Sequence, residues 1–170
     1  MSSIRPATVA GAFYPAAPAA LRAGVVRVLA DVAPAVRHAG AAAPKLLVVP
    51  HAGYVYSGPV AAHGYALLEP WRERITRVVL LGPTHRVAMR GLAAPTVAAF
   101  DTPLGAVLLD RPAIDALADL PQVVASDAAH ADEHSLEVQL PFLQTVLRDF
   151  SIVPLAVGRA SVAEVAEVLE

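Results

Sequence analysis

Two short apolar runs, each followed by a histidine, constrain the fold of this 170-residue chain more than any other feature. They are residues 45–51 and 77–85, which are rich in leucine and valine. Continuous runs of this kind are typical of strands buried on both faces, as in a parallel sheet. Each run meets a proline, which cannot donate a hydrogen bond to a sheet. The sequence therefore predicts two strands that place His51 and His85 just beyond their carboxyl ends.

The segments around these runs predict helices and a connector. Apolar residues at helical spacing predict a helix over 18–31. Residues 59–68 predict a second helix, which would join the two runs in a strand–helix–strand crossover. Residues 33–44 carry two prolines and an alanine run, so we expect an exposed connector there.

The C-terminal third continues the same alternation. Leucines at helical spacing predict a helix over 136–150 that is kinked at Pro141. Residues 152–157 predict a further strand, and another helix begins after Ser161. These elements predict an α/β fold for residues 1–170, a single domain with a mostly parallel central sheet flanked by helices.

Composition excludes several classes of protein. The chain has no cysteine, so a metal must be held by histidine, aspartate or glutamate, and six histidines are present. The net charge is -2, which gives no basic field for nucleic acid. Neither a signal peptide nor a membrane-spanning run is predicted, so we expect a cytoplasmic protein without a membrane partner.

The two histidines that follow the runs form the first candidate site. In open α/β sheets, ligands bind outside the carboxyl ends of the strands, where His51 and His85 are expected. Two converging imidazoles suit iron, copper or zinc. The alternative is that each ring only caps the end of its strand through backbone hydrogen bonds. Because the two positions are equivalent, we favour a metal site.

The loop after His51 supplies candidate binding residues. Tyr54 and Tyr56 offer phenolic groups that can donate hydrogen bonds, or they pack as amphipathic rings at the rim. Ser57 precedes the predicted helix, whose first N–H groups could face an anion. We therefore expect a small molecule or a peptide in this crevice, with Tyr54 and Ser57 among its contacts.

A second cluster places five charged or imidazole groups within eight residues. His130, Glu133 and His134 match the H-x-x-E-H pattern, in which two histidines bind zinc and the glutamate acts as general base. The alternative is a helix N-terminus, where acidic residues are favourable and Asp132 or Ser135 acts as the cap. His134 is also suited to proton transfer in the crevice, because histidine titrates near neutral pH.

Five motifs in a fixed order carry a family resemblance. They are AGAFYP at 10–15, PHAGYVYSG at 50–58, LGPTH at 81–85, DTPLG at 101–105 and EHSLEVQLPFL at 133–143. In this order they resemble the Memo family, also called the AmmeMemoRadiSam system protein B family. The resemblance covers nearly the whole chain.

The resemblance implies the fold of the class III extradiol (LigB-type) dioxygenases, which bind Fe(II) at the ends of their strands. It identifies His51 and His85 as the metal-type histidines. It implies a cysteine in the third position, with an aspartate and a histidine, in a C-terminal third that follows the matched motifs. By that resemblance the chain corresponds to about two-thirds of the full domain. A functional link to a radical-SAM protein is also implied.

Three functions remain open at this point. The first is a Memo-like metal-binding protein, with Fe(II) favoured over copper or zinc, that acts as a redox enzyme on an unidentified substrate. In it His51 and His85 bind the metal, His134 is the catalytic group, and Glu133 contributes to binding. The second is a non-catalytic module that holds a peptide or a small anion in the same crevice. The third is a zinc hydrolase built on the H-x-x-E-H pattern.

Overall fold

A computed structural model describes residues 3–36 and 42–170 of the chain. The helices within these residues are α1 (Pro18–Val36), α2 (Tyr54–Ala66), α3 (Arg111–Ala116), α4 (Ala128–Ala131), α5 (Leu140–Val146) and α6 (Val162–Leu169). The strands are β1 (Ile4–Arg5), β2 (Arg77–Pro83), β3 (Leu92–Ala94), β4 (Ala99–Phe100), β5 (Val107–Leu108), β6 (Val123–Ala125) and β7 (Ser151–Val157). Short 3₁₀ turns lie at Glu69–Trp71 and Glu137–Gln139.

The strands form two sheets. The larger sheet has the order β2-β7-β3-β6, and the smaller has the order β1-β4-β5. Strands β2 and β7 run parallel along their whole length, from Arg77 opposite Ser151 to Pro83 opposite Val157. Strand β3 is antiparallel to β7 and parallel to β6. The α/β fold is confirmed, and its main sheet is mixed, with two of its three pairings parallel.

The core lies between this sheet and a layer of helices. Strand β7 is central, and its Ile152 and Leu155 are fully buried. Helix α1 buries Leu21 and Val25 and packs along α2, which buries the small side chains of Ala61 and Ala62. Among the residues described, no helix combines the length and apolar character needed to cross a membrane.

The predicted strand at 45–51 is wrong, and so is the crossover that depended on it. The segment has no strand partner within the described part of the chain. Leu46 and Val48 are 75% and 91% exposed, whereas Val49 packs closely on Gly64 of α2. Exposed and partly buried side chains therefore alternate along this segment, as they do in a strand. Within the described residues it has no hydrogen-bonded neighbour, so it does not form one. Helix α2 also begins earlier than predicted and contains Pro59.

Two helix predictions need correction, and several others are confirmed. Helix α1 extends to Val36, so part of the predicted connector at 33–44 is helical, while residues 37–41 lie outside the described residues. The kinked helix at 136–150 is instead a 3₁₀ turn followed by α5. Pro141 lies in the first turn of α5, where its missing N–H removes no helical hydrogen bond. The predicted strands β2 and β7 and the helix after Ser161 are confirmed. Burial on both faces is correct for β7 but wrong for β2, which exposes Val79 and Leu81.

Candidate metal centre

Three histidines from distant parts of the chain converge at one edge of the main sheet. His51 ends the extended segment before α2, His85 follows β2, and His134 lies shortly after α4. One ring nitrogen from each lies within 4.8 Å of one from each of the others. The ring centroids of His85 and His134 are 4.5 Å apart, and that of His51 is 5.3 Å from His85. The structure thus brings the two predicted metal histidines together and adds His134 as a third equivalent group.

Close packing between the end of β2 and the loop before the 3₁₀ turn produces this convergence. A Cβ atom at Gly82 would lie 2.6 Å from the Ser135 hydroxyl oxygen, so only glycine fits there. The Ser135 hydroxyl donates a hydrogen bond of 3.0 Å to the carbonyl of Pro83. The two contacts fix His85 and His134 side by side.

Glu133 orients the ring of His85. Its buried carboxylate accepts hydrogen bonds from the backbone amides of His85 (2.5 Å), His134 (3.0 Å) and Ser135 (3.0 Å). It also lies 2.8 Å from Nδ1 of His85. Because an ionised carboxylate only accepts, Nδ1 carries the proton, and Nε2 is the nitrogen of His85 left to bind a metal. Carboxylate–imidazole pairs of this kind commonly orient metal ligands.

The electrostatics of the site favour the neutral forms of His51 and His134 beside an ionised carboxylate. Burial raises the pKa of Glu133, but hydrogen bonds from the amide and ring of His85 and the amide of Ser135 outweigh it and lower the pKa to about 2. Burial lowers the pKa of His51, and the neighbouring His85 lowers it further. Burial also lowers the pKa of His134, although Glu133 opposes the effect. Neutral imidazole is the form that binds metals.

One imidazole nitrogen in the site is buried without a partner. Nδ1 of His134 lies 3.4 Å from a carboxylate oxygen of Glu133 but makes no hydrogen bond. The ring of Phe13 packs on the same imidazole, with centroids 4.5 Å apart. A buried nitrogen without a hydrogen-bond partner costs free energy of folding. Within the described residues, no hydrogen bond to Nδ1 orients this ring. Three clustered imidazoles, one of them exposed at His85, fit a borderline transition metal with room for a further ligand.

Tyr54 and Ser57 use their hydroxyls to shape the loop after His51. The Tyr54 hydroxyl donates to the carbonyl of Val138 at 2.7 Å, and burial raises its pKa. The Ser57 hydroxyl donates to the carbonyls of Ala52 (2.7 Å) and Gly53 (3.3 Å). The structure therefore places both residues beside the site, with each hydroxyl engaged by the backbone.

His130 lies apart from the three clustered histidines. It is 1% exposed, and its Nε2 lies 3.0 Å from the carbonyl of Ala93. Helix α4 ends at Ala131, so Glu133 and His134 do not share a helical face with His130. The H-x-x-E-H arrangement required for a zinc hydrolase is not formed.

The buried pair of Arg5 and Glu137 was not found from the sequence. Nη1 of Arg5 donates to the carboxylate of Glu137 at 2.6 Å, and both side chains are buried. The pair joins the first strand to the loop that carries His134. The sequence carries no local signal for it, because Arg5 and Glu137 are 132 residues apart.

Comparison with known proteins places these features in a family. The sequence profile described as Memo-like protein matches residues 5–170. A MEMO1 family protein of Ignicoccus hospitalis is 41% identical over 167 residues, which cover 89% of this chain and 55% of that protein. One of Methanopyrus kandleri is 40% identical over 172 residues, with 98% and 60% covered. One of Thermotoga neapolitana is 45% identical over 113 residues, with 65% and 40% covered.

The chain thus spans between 40% and 60% of the length of these relatives. The match nevertheless extends over almost every described residue, including the three clustered histidines and Glu133. The chain belongs to the Memo-like protein family.

Proposed function

We propose that this chain binds a transition metal through His51, His85 and His134. The observation that carries the proposal is the convergence of the three rings, with one nitrogen of each within 4.8 Å of the others. The carboxylate of Glu133 supports it, because its bond to Nδ1 of His85 directs the other ring nitrogen outward as a ligand.

Fe(II) is the metal we favour, with copper or zinc as alternatives. Bound there, such a metal would supply Lewis-acid or one-electron chemistry to a small molecule. The protein contributes neutral imidazoles, because burial lowers the pKa of both His51 and His134. His85 is exposed, so a substrate can approach from its side. We propose a redox role at this centre, in which His134 is the third metal ligand beside His51 and His85.

Metal content of the purified protein tests this proposal. Wild-type protein loaded anaerobically with Fe(II) should retain about one equivalent after desalting, measured by elemental analysis. His51→Ala and His85→Ala should each abolish retention. His63→Ala is the matched control, because that exposed histidine bonds only to the carbonyl of Pro59 on its own helix. Equal metal content in the wild type and both site variants would contradict the proposal.

A non-catalytic module for a small anion has weaker support. The backbone amides of Tyr54, Tyr56 and Ser57 at the start of α2 donate to the carbonyls of Phe13 and Gly53, so they are not directed at a ligand. Calorimetry with candidate peptides and anions separates the two functions. Binding that persists after chelation would favour the module, whereas binding that requires metal would favour the centre.

A further inference from the structure

We propose that Arg5 is a positioning residue of the histidine centre. Its buried guanidinium fixes the backbone of residues 130–137, the loop from which Glu133 and His134 reach the centre. The inference rests on the proposed metal-binding function, and it concerns a side chain that itself makes no contact with the clustered rings.

The guanidinium of Arg5 contacts this loop at three points. Nε donates to the carbonyl of His130 at 2.6 Å, and Nη2 donates to the carbonyl of Glu133 at 2.8 Å. Nη1 donates to the carboxylate of Glu137 at 2.6 Å. Arg5 is 4% exposed and Glu137 is 0% exposed, so water does not compete for these bonds. One planar group thus spans the loop from its beginning to its end.

The remaining donors of Arg5 bind its own segment. Nη1 also donates to the carbonyl of Pro6 at 3.1 Å, and Nη2 donates to the hydroxyl of Thr8 at 3.0 Å. These bonds use all five N–H groups of the guanidinium. No donor is left over for a ligand, which indicates that the role of Arg5 is to fix other groups in place.

Glu137 joins the same loop to the N-terminal segment from the opposite side. Its carboxylate accepts hydrogen bonds from the amides of Thr8 (3.0 Å) and Val9 (3.1 Å) and from the hydroxyl of Tyr14 (2.5 Å). The segment fixed in this way carries Phe13, whose ring packs on His134. The Arg5–Glu137 pair therefore controls the backbone of the loop and also the aromatic surface against which one ligand ring packs.

A direct chain of contacts connects Arg5 to the centre. Arg5 holds the carbonyl of Glu133, and the carboxylate of Glu133 holds Nδ1 of His85. Metal ligands need to stay within about 0.5 Å of their productive positions. A buried ion pair is weak evidence for added stability, because desolvation of both charges offsets their attraction. The three contacts of the Arg5 guanidinium with the loop are better explained by the precision with which they fix its backbone.

Arg5→Lys tests the inference, because lysine keeps the charge but loses the planar fork. Glu137→Gln is the second variant, because it keeps the side-chain shape and removes the ion pair. Arg77→Lys is the matched control. Arg77 also pairs with a carboxylate, that of Asp110 at 2.5 Å, but it lies at the opposite end of β2 from His85.

The first readout is cobalt binding. We expect Arg5→Lys and Glu137→Gln to weaken Co(II) affinity about 10- to 100-fold and to change its visible absorption spectrum. The control should match the wild type. Measurements are made well below the unfolding transition of each variant, so loss of folded protein does not contribute.

The second readout needs no metal. Imidazole ¹⁵N chemical shifts report which ring nitrogen of His85 carries the proton. Wild-type protein should show the Nδ1–H form, and Arg5→Lys should show a mixture because Glu133 is no longer held in place. If the wild type binds no Co(II) but this shift responds, the proposed function fails and the positioning role stands.

The inference is overturned if folded Arg5→Lys keeps both the cobalt affinity and the His85 tautomer of the wild type. A lower urea midpoint with an unchanged site overturns it as well, because Arg5 would then only stabilise the fold. If Arg5→Lys does not fold, the same two readouts on Glu137→Gln decide the question.

Discussion

Protonation of His130 should make the protein less stable in mild acid. Its Nε2 donates to the carbonyl of Ala93, while its Nδ1 is buried without a partner. Burial and, to a smaller extent, Arg5 lower the pKa of His130 from 6.5 to about 4, a net shift that the bond to Ala93 and the charges of Asp127 and Glu133 oppose. The folded protein therefore resists a proton that the unfolded chain accepts.

The sign and size of the effect follow from linkage. Above pH 6.5 both states carry a neutral ring, and this stability is fully present. As the pH falls from 6.5 to 4 only the unfolded state gains the proton, so up to about 3 kcal/mol is lost. His130→Gln keeps a donor for Ala93 and removes the titration.

Urea unfolding at pH 7 and pH 4.5 provides the assay. The wild type should lose more free energy of unfolding between these values than His130→Gln does, by about 2 kcal/mol. Other acid-sensitive groups are common to both proteins and cancel in the comparison. An identical loss in both would refute the reasoning, since His130 would then take up its proton equally in the folded and unfolded states.

Three further predictions concern the close packing at Gly82, the carboxylate of Glu133 and the core around β7. Gly82→Ala should cost about 1–3 kcal/mol in urea unfolding and weaken metal binding, because its Cβ would collide with Ser135; unchanged values of both would contradict the close approach. Glu133→Gln should lower metal affinity about 10- to 100-fold in a chelator competition, and wild-type affinity would show that this carboxylate orients nothing. Leu155→Ala should cost about 2–5 kcal/mol because the side chain is fully buried in β7, a cost that a small shift in urea midpoint would disprove.

Local pattern was sufficient where a segment has a continuous apolar run or a regular helical spacing of its own. Strands β2 and β7 were predicted because their apolar runs are continuous, and they pair in parallel over seven residues each. Helix α6 was predicted from the apolar spacing after Ser161, and the structure shows that the Ser161 hydroxyl caps it. In both cases the information lies within the segment itself.

Prediction failed where the outcome depends on a distant neighbour. Residues 45–51 have the composition of a strand, but strand formation requires a partner that a local pattern cannot supply. The leucine spacing continues through Pro141 and predicts a kinked helix, whereas Pro141 lies in the first turn of a new one. The periodicity came from burial of both elements against one core, so it did not reveal the break.

The candidate site was predicted only in part, because some of its contacts also depend on residues distant in the sequence. Two similar runs before His51 and His85 predicted that these histidines are neighbours; their rings are 5.3 Å apart, although the first run forms no strand. The short H-x-x-E-H match wrongly grouped His130 with His134, since it assumed a continuous helix. Arg5 lies 132 residues from Glu137, and no periodic pattern connects residues so far apart.

X-ray absorption on the metal-loaded protein tests the central claim most directly. Zinc-loaded wild type should show nitrogen or oxygen ligands at about 2.0–2.1 Å with outer-shell scattering from three imidazoles. His134→Ala should lose one imidazole contribution, and His63→Ala should leave the spectrum unchanged. A wild-type spectrum without imidazole scattering would contradict a metal centre built on His51, His85 and His134.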